Sequence, residues 1–311
     1  MRKLLVLGVV GLLAQLVDGS LGMAYGVTSS TLLLAAGVAP AAASAAVHFS
    51  EIGTSLVSGA AHTRLGNVDW RTVGILALPG FVGAFAGATY LSSLPGDVAK
   101  PWVAGLLLAL GGYVIWRFLA LGGRRPTFKP RPSAWFLAPM GLVAGAMDAI
   151  GGGGWGPVGT TSLLSSGRLA PRKVVGSIDT SEFVVAVGGS LGFLLALGSQ
   201  GIAWSYALAL LAGGVVAAPV AAWLVRRLAA RVLGVAAGGL IVLTNARTVL
   251  QALGVSATAI AVTALLIAVL WILGIAWAVR QERRARRLEA VAPGYDTEEA
   301  GSEVSTGSFA G

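Results

Sequence analysis

The 311-residue chain is 56% apolar and only 11% charged, with a mean hydropathy of +0.81, where a soluble domain of this size carries about 25% charged residues. With no cysteine, disulfides, thiol catalysis and Cys-based metal sites are excluded. The net charge of +9 is spread over short loops between apolar runs and forms no recognition face, which reads as a topology signal and not as a nucleic-acid footprint.

A membrane span needs about 20 mostly apolar residues, and such segments fall at 4–37, 42–62, 72–94, 101–121, 134–167, 173–197, 204–225, 232–250 and 258–279. The opening MRKLLVLGVVGLLA has the form of a signal peptide, but no small-x-small cleavage site follows, so it is read as part of the mature protein. Segments 4–37 and 134–167 are too long for one simple span. Glycine-rich stretches at 18–26 and 148–156 interrupt them, and glycine disfavours helix interior by about 1 kcal/mol per residue. Each is predicted to be a helix, a break and a second short helix. Pro79 and Pro219 are predicted to kink their helices. Asn67, Asp69, Trp70 and Arg71 read as a cytoplasmic turn with an aromatic anchor, and His62, near a span end, as interfacial.

The chain repeats itself. At an offset of 130, Gly11, Asp18, Gly22, Gly26, Thr31, Leu33, Leu34 and Gly37 meet Gly141, Asp148, Gly152, Gly156, Thr161, Leu163, Leu164 and Gly167; Tyr25 meets Trp155 and Ser30 meets Thr160. One inserted residue later, Pro40, Ser50 and Glu51 meet Pro171, Ser181 and Glu182, and His48 meets Asp179. Charge tests the topology. If 134–167 is a hairpin and every other segment from 42 onward crosses once, all of the 22 Lys and Arg residues except Arg2, Lys3, Lys100 and Arg247 share one side, as the positive-inside rule requires. If 4–37 is a hairpin too, each half has a hairpin and three crossings, an odd number that inverts the halves; Arg2 and Lys3 pull against this, since a single crossing by 4–37 would put them inside.

The predicted fold is therefore an all-α polytopic membrane protein of two inverted-topology repeats, each a broken-helix hairpin plus three transmembrane helices, with one extra C-terminal helix. Its parts are a first repeat at 1–122, a cytoplasmic linker at 123–133, a second repeat at 134–253, the extra helix at 257–280 and a basic, then disordered, cytoplasmic tail at 281–311. Such repeats with interrupted helices mark secondary transporters. The expected location is the inner (cytoplasmic) membrane, multi-pass, with the C-terminus cytoplasmic.

The first amides of a helix are unpaired and partly positive. Two such ends meeting would hold an anion without Arg or Lys. The substrate-site candidates are Gly22, Tyr25, Gly26, Thr28, Ser29, Ser30 and Thr31 in one half, and Gly152, Gly153, Gly154, Trp155, Gly156, Thr160 and Thr161 in the other. The competing reading is that the glycines allow close helix packing and the hydroxyls cap helices. Asp18 and Asp148 read equally as caps of freed N–H groups or as protonatable coupling sites. His48 and Glu51 share a helix face, Asp179 and Glu182 repeat the arrangement, and Ser50 and Ser181 support them. Ionisable groups inside a span are coupling candidates by default.

The residues that carry a resemblance are GLLAQLVDGSLGMAYG with TSSTLLLAAGVAP, HFSEIGTSLVSG and GNVDW, then GGGGWGPVGTTSLL and APRKVVGSIDTSE. On these, over about residues 5–250, the chain resembles the TauE/SafE family of sulfite and organosulfonate exporters. The resemblance implies ion-coupled movement of a small sulfur-containing anion, with no cofactor, no bound metal, no enzymatic activity, lipid as surroundings and homo-oligomers open. Lacking an Arg in either break, the chain would rely on dipoles, hydroxyls and the nearby Arg172 and Lys173. The alternatives are a cation permease using the same carboxylates and, from another class, an intramembrane serine hydrolase. The last is disfavoured because His48 and Ser50, two apart, do not face each other on a helix.

Overall fold

The computed structural model describes residues 2–120, 132–166, 168–224 and 230–291. Among these there is no strand; eleven α-helices and one 3-10 turn carry the chain. They are α1 (Arg2–Leu21), α2 (Tyr25–Ala35), α3 (Pro40–Arg64), α4 (Trp70–Ser93), α5 (Gly96–Ala120), α6 (Ala134–Gly151), α7 (Trp155–Ser166), α8 (Pro171–Leu197), α9 (Trp204–Leu224), α10 (Ala230–Ala252) and α11 (Ala257–Val291). Among the described residues seven helices are long and apolar enough to cross a membrane. α3 is as long as its neighbours but carries His48, Glu51 and several hydroxyls, so composition alone does not mark it.

Both long segments break where predicted, and more tightly than predicted. α1 runs past Asp18 to Leu21 and α6 past Asp148 to Gly151, so the breaks are the three-residue stretches 22–24 and 152–154. Gly22 and Gly152 take φ of +69° and +66°, a conformation that costs glycine almost nothing. Ala24 sits at φ +113°, which is strained for a residue with a Cβ. α3 and α8 begin on Pro40 and Pro171, where a missing N–H is harmless and φ is already helical. Pro79 and Pro219 lie inside α4 and α9.

Helix packing comes in matching pairs. α1 packs on α9 as α6 packs on α4; α2 meets α10 as α7 meets α5; α3 packs on α8, and α5 on α10. The closest approaches match too. A Cβ on Gly83 would run into the backbone of Leu142, and one on Gly213, 130 residues on, into the backbones of Gly8 and Leu12. In lipid no water-exclusion force joins helices, so dispersion between closely fitted backbones carries the association. α11 stands outside this scheme: it packs on α10, and its apolar stretch is almost entirely unburied, Ala278 being the exception. Its 35 residues extend about 52 Å at 1.5 Å per residue, far beyond a hydrocarbon core of about 30 Å, so the first part of the expected tail continues the helix. Exposed Trp70, Trp102, Trp116, Trp135 and Trp223 stand near helix ends, as in an interfacial aromatic belt. The expected linker at 123–133, apart from its last two residues, and the tail beyond 291 lie outside the described residues.

Gly83→Ala is expected to lower the thermal unfolding midpoint in detergent, at a cost of about 1–3 kcal/mol for overpacking. Gly74→Ala is the control, since nothing lies within 4 Å of where its Cβ would stand; equal midpoints for the two variants would contradict the close-packed α4–α6 contact.

Candidate functional site: two helix breaks and two ionisable clusters

The breaks meet each other. Ser30 on α2 donates to the carbonyl of Gly152 at 2.8 Å, and Thr160 on α7 donates to the carbonyl of Gly22. These two bonds connect corresponding positions in opposite directions. Gly26 lies against Gly152 and Gly153, and Gly156 against Gly22 and Met23, so a larger residue at any of these positions would push the breaks apart. Tyr25 and Trp155 are buried and anchor their helices alike. The Tyr25 hydroxyl donates to Ser50 at 2.9 Å, and Ser50 donates to the Val47 carbonyl at 2.7 Å. The Trp155 indole donates to the Ile178 carbonyl at 3.1 Å, to which Ser181 also donates at 2.8 Å.

The aspartates cap the freed amides. Asp18 Oδ1 accepts from the Tyr25 N–H at 3.2 Å; Asp148 Oδ1 accepts from Gly154 at 2.6 Å and Trp155 at 3.0 Å. Each leaves its second oxygen free for other groups. The N–H groups of Gly26, Val27 and Gly156 have no hydrogen-bond partner among the described residues, and they lie where the breaks touch.

Beside the breaks stand two clusters, each joining the aspartate of one half to a helix of the other: Asp148 with His48 and Glu51, and Asp18 with Asp179 and Glu182. Within each, ligand atoms lie within 4.8 Å of one another, and all six residues are buried. In the first, His48 Nδ1 is 3.0 Å from the Ser44 carbonyl, an acceptor only, so Nδ1 carries a hydrogen. His48 Nε2 then faces Asp148 Oδ2 at 3.3 Å, an approach that is attractive only with a proton between them. Glu51 Oε2 lies 4.0 Å from His48 Nδ1, and neither Glu51 oxygen has a hydrogen-bond partner.

In the second cluster Asp179 takes the place of histidine, and the imidazole comes from His62, whose Nε2 is 3.4 Å from Asp179 Oδ2 and 3.2 Å from the Gly19 carbonyl. Asn67 lies 3.2 Å from the other nitrogen, Nδ1. Ser58 donates to Asp179, and Ser55 to Glu182 at 3.2 Å. Among the described residues, no Lys or Arg pairs with any of these five carboxylates.

Other candidates sit elsewhere. Thr161 donates to the Pro157 carbonyl and accepts from Tyr113 at 2.8 Å. Thr31 accepts from Asn245 at 2.8 Å, the matching α2–α10 contact. Ser29 is buried with its hydroxyl unpartnered, and Thr28 lines an apolar groove with Val10, Leu13, Val17 and Trp271, away from the breaks. Arg172 is exposed, and Lys173 donates to the Val68 carbonyl at 2.8 Å. His62, read as interfacial from its position near a helix end, is instead fully buried: the α3–α8 packing covers it, and Asp179 and Gly19 use its nitrogen. Asp69 caps α4 by accepting from the Thr72 N–H at 2.9 Å, which fits the predicted turn.

The sequence reading missed Ser44, Ser55, Ser58 and His62. A signal was present: Ser44, His48, Glu51, Ser55, Ser58 and His62 recur every three or four residues, a polar stripe on one face of α3. Ser44 comes within 3.5 Å of His48 Nδ1 and superficially completes a Ser-His-Asp set, but its hydroxyl donates to the Ala149 carbonyl at 2.6 Å and so is not oriented as a nucleophile toward the ring.

The profile of the family described as "Sulfite exporter TauE/SafE" matches residues 7–248. The chain belongs to the sulfite exporter TauE/SafE family. The matched region of this TauE/SafE protein contains both breaks and both clusters and leaves out α11. It is 53% identical over 256 residues to the probable membrane transporter protein YtnM of Bacillus subtilis (strain 168), covering 81% of this chain and 84% of YtnM. It is 28% identical over 144 residues to the probable membrane transporter protein YdhB of the same organism, covering 45% of this chain and 58% of YdhB. No solved structure matches. The protein is thus a multi-pass member of a family of membrane transporters.

Asp148→Ala is expected to orphan two buried amides, at about 1–3 kcal/mol each, and so to lower the unfolding midpoint in detergent. Asp148→Asn keeps an acceptor and is expected to stay near the unsubstituted value; equal losses would show that the cap is not what Asp148 contributes to stability.

Proposed function

We propose that this TauE/SafE protein is a secondary transporter, working as an exporter, that moves a small anion such as sulfite or an organosulfonate by alternating access with proton coupling. The observation that carries this reading is the contact of the two breaks, where the N–H groups of Gly26, Val27 and Gly156 have no partner among the described residues. Amides of this kind are a ready anion site, and the facing glycines let an anion approach the backbone.

Coupling follows from charge. Three carboxylates within 4.8 Å of one another repel strongly in a low dielectric, and ionising all of them without a cation is prohibitively costly. An anion comes to the breaks only when Glu51, Asp148, Asp18, Asp179 and Glu182 hold enough protons, with His48 sharing one with Asp148. Loss of those protons to the other side expels the anion. The two halves, packed in matching pairs, are read as inverted in the membrane, with the basic loops and α11's Arg-rich end in the cytoplasm. Rocking of one half against the other then changes the side to which the breaks open.

One observation favours a second reading: each cluster presents His, Asp or Glu ligand atoms close enough together to hold a cation. Competition separates the two, since divalent cations would then be cargo and inhibit at micromolar levels, whereas sulfonates would not compete.

In proteoliposomes, labelled sulfite is expected to move faster under an imposed pH gradient and to lose that acceleration with a protonophore. The double variant Glu51→Gln/Glu182→Gln is expected to lose the gradient-driven part by about tenfold or more. Unchanged gradient-driven flux in that variant would remove the clusters from the coupling role.

A further inference from the structure

A centre of five carboxylates and two imidazoles holds no fixed positive charge, and an anion must still reach it. Among the described residues one Lys or Arg side chain is buried: Arg117 on α5, 4% exposed. Its Nε has no hydrogen-bond partner, and no described carboxylate lies within ion-pair distance of its guanidinium. Arg64 and Arg71, at the ends of α3 and α4, are exposed instead, as snorkelling side chains are.

Its position is specific. Tyr113, four residues earlier and so on the same face of α5, donates to Thr161 of α7 at 2.8 Å. α7 is the helix that starts at the second break. Arg117 therefore stands one turn further along the face that α5 turns toward α7. The matching α10–α2 contact has no such charge: Asn245 holds Thr31 there, Arg247 is exposed, and Arg231 lies over the Trp277 ring at 5.6 Å. The α5–α7 contact thus carries a cation beside it and the α10–α2 contact does not.

A covered Arg side chain whose Nε lacks a partner and that has no carboxylate beside it among the described residues is completed by an anion. Its planar fork suits two oxygens of one oxyanion. We propose that Arg117 is a substrate-binding residue, the cationic contact that a sulfite- or sulfonate-type oxyanion makes beside α7 on its way between the breaks and the basic face. This rests on the anion-transport reading above and adds to it the residue that selects for negative charge.

Arg117→Gln is expected to raise the KM for sulfite by about 10–100-fold, the scale of one charged hydrogen-bonded contact, while Arg117→Lys, which keeps charge but loses the fork, falls between. In unsubstituted protein in phospholipid-free detergent, sulfite is expected to slow phenylglyoxal modification of Arg117 several-fold and leave Arg64 and Arg71 unaffected; this arm needs no variant to fold. Sulfite flux by the unsubstituted protein with an unchanged KM in Arg117→Gln, or protection by anionic phospholipid but not by sulfite, overturns the assignment and leaves the transport reading standing. No anion flux by the unsubstituted protein at all overturns the transport reading itself.

Discussion

Everything in the centre of this protein depends on two reciprocal hydrogen bonds, Ser30 to the Gly152 carbonyl and Thr160 to the Gly22 carbonyl. A broken helix at membrane depth exposes backbone groups that lipid cannot satisfy. Here each break satisfies the other: a hydroxyl from one half takes a carbonyl freed in the other, and an aspartate within each half takes freed amides. Neither break is satisfied alone, so the halves cannot separate without orphaning buried polar groups. The same contact holds Glu51 beside Gly26 and the amides that lack a partner among the described residues.

The two clusters follow from the same exchange. Asp148 belongs to one half and its partners His48 and Glu51 to the other; Asp18, Asp179 and Glu182 reverse the roles. Each cluster therefore exists only where the two halves meet. The clusters are nonetheless unlike. The first contains its imidazole; the second borrows His62 and adds Ser55 and Ser58 as donors to its carboxylates. Asp179 accepts from Ser58 and Glu182 from Ser55, whereas neither Glu51 oxygen has a hydrogen-bond partner among the described residues.

Much of the fold was legible in the sequence because its causes are local. Runs of about 20 apolar residues, glycine-rich interruptions and helices opening on Pro40 and Pro171 set element boundaries without reference to distant parts. The repeat made the site partly legible as well, since Asp18 with Asp148 and Glu51 with Glu182 stood out as polar positions that recur. His62 was misjudged because distance from a helix end says nothing about which neighbour covers it. Ser44, Ser55 and Ser58 were overlooked because a hydroxyl in a membrane helix normally bonds its own backbone. Their period along α3 was the available clue.

By itself, then, the sequence determined that the chain is a membrane protein of many helices, that two of its segments are interrupted, and that a few charged residues lie within otherwise apolar spans. These are consequences of hydropathy and backbone propensity, which act over neighbouring residues. Only the tertiary structure decided which carboxylate faces which: that Asp148 meets His48 across the halves, that the breaks close on each other, and that Arg117 is covered with no carboxylate beside it. Such pairings depend on helices brought together from a hundred or more residues apart, where the cost of an unsatisfied group in a low dielectric, and not any local preference, selects the partner.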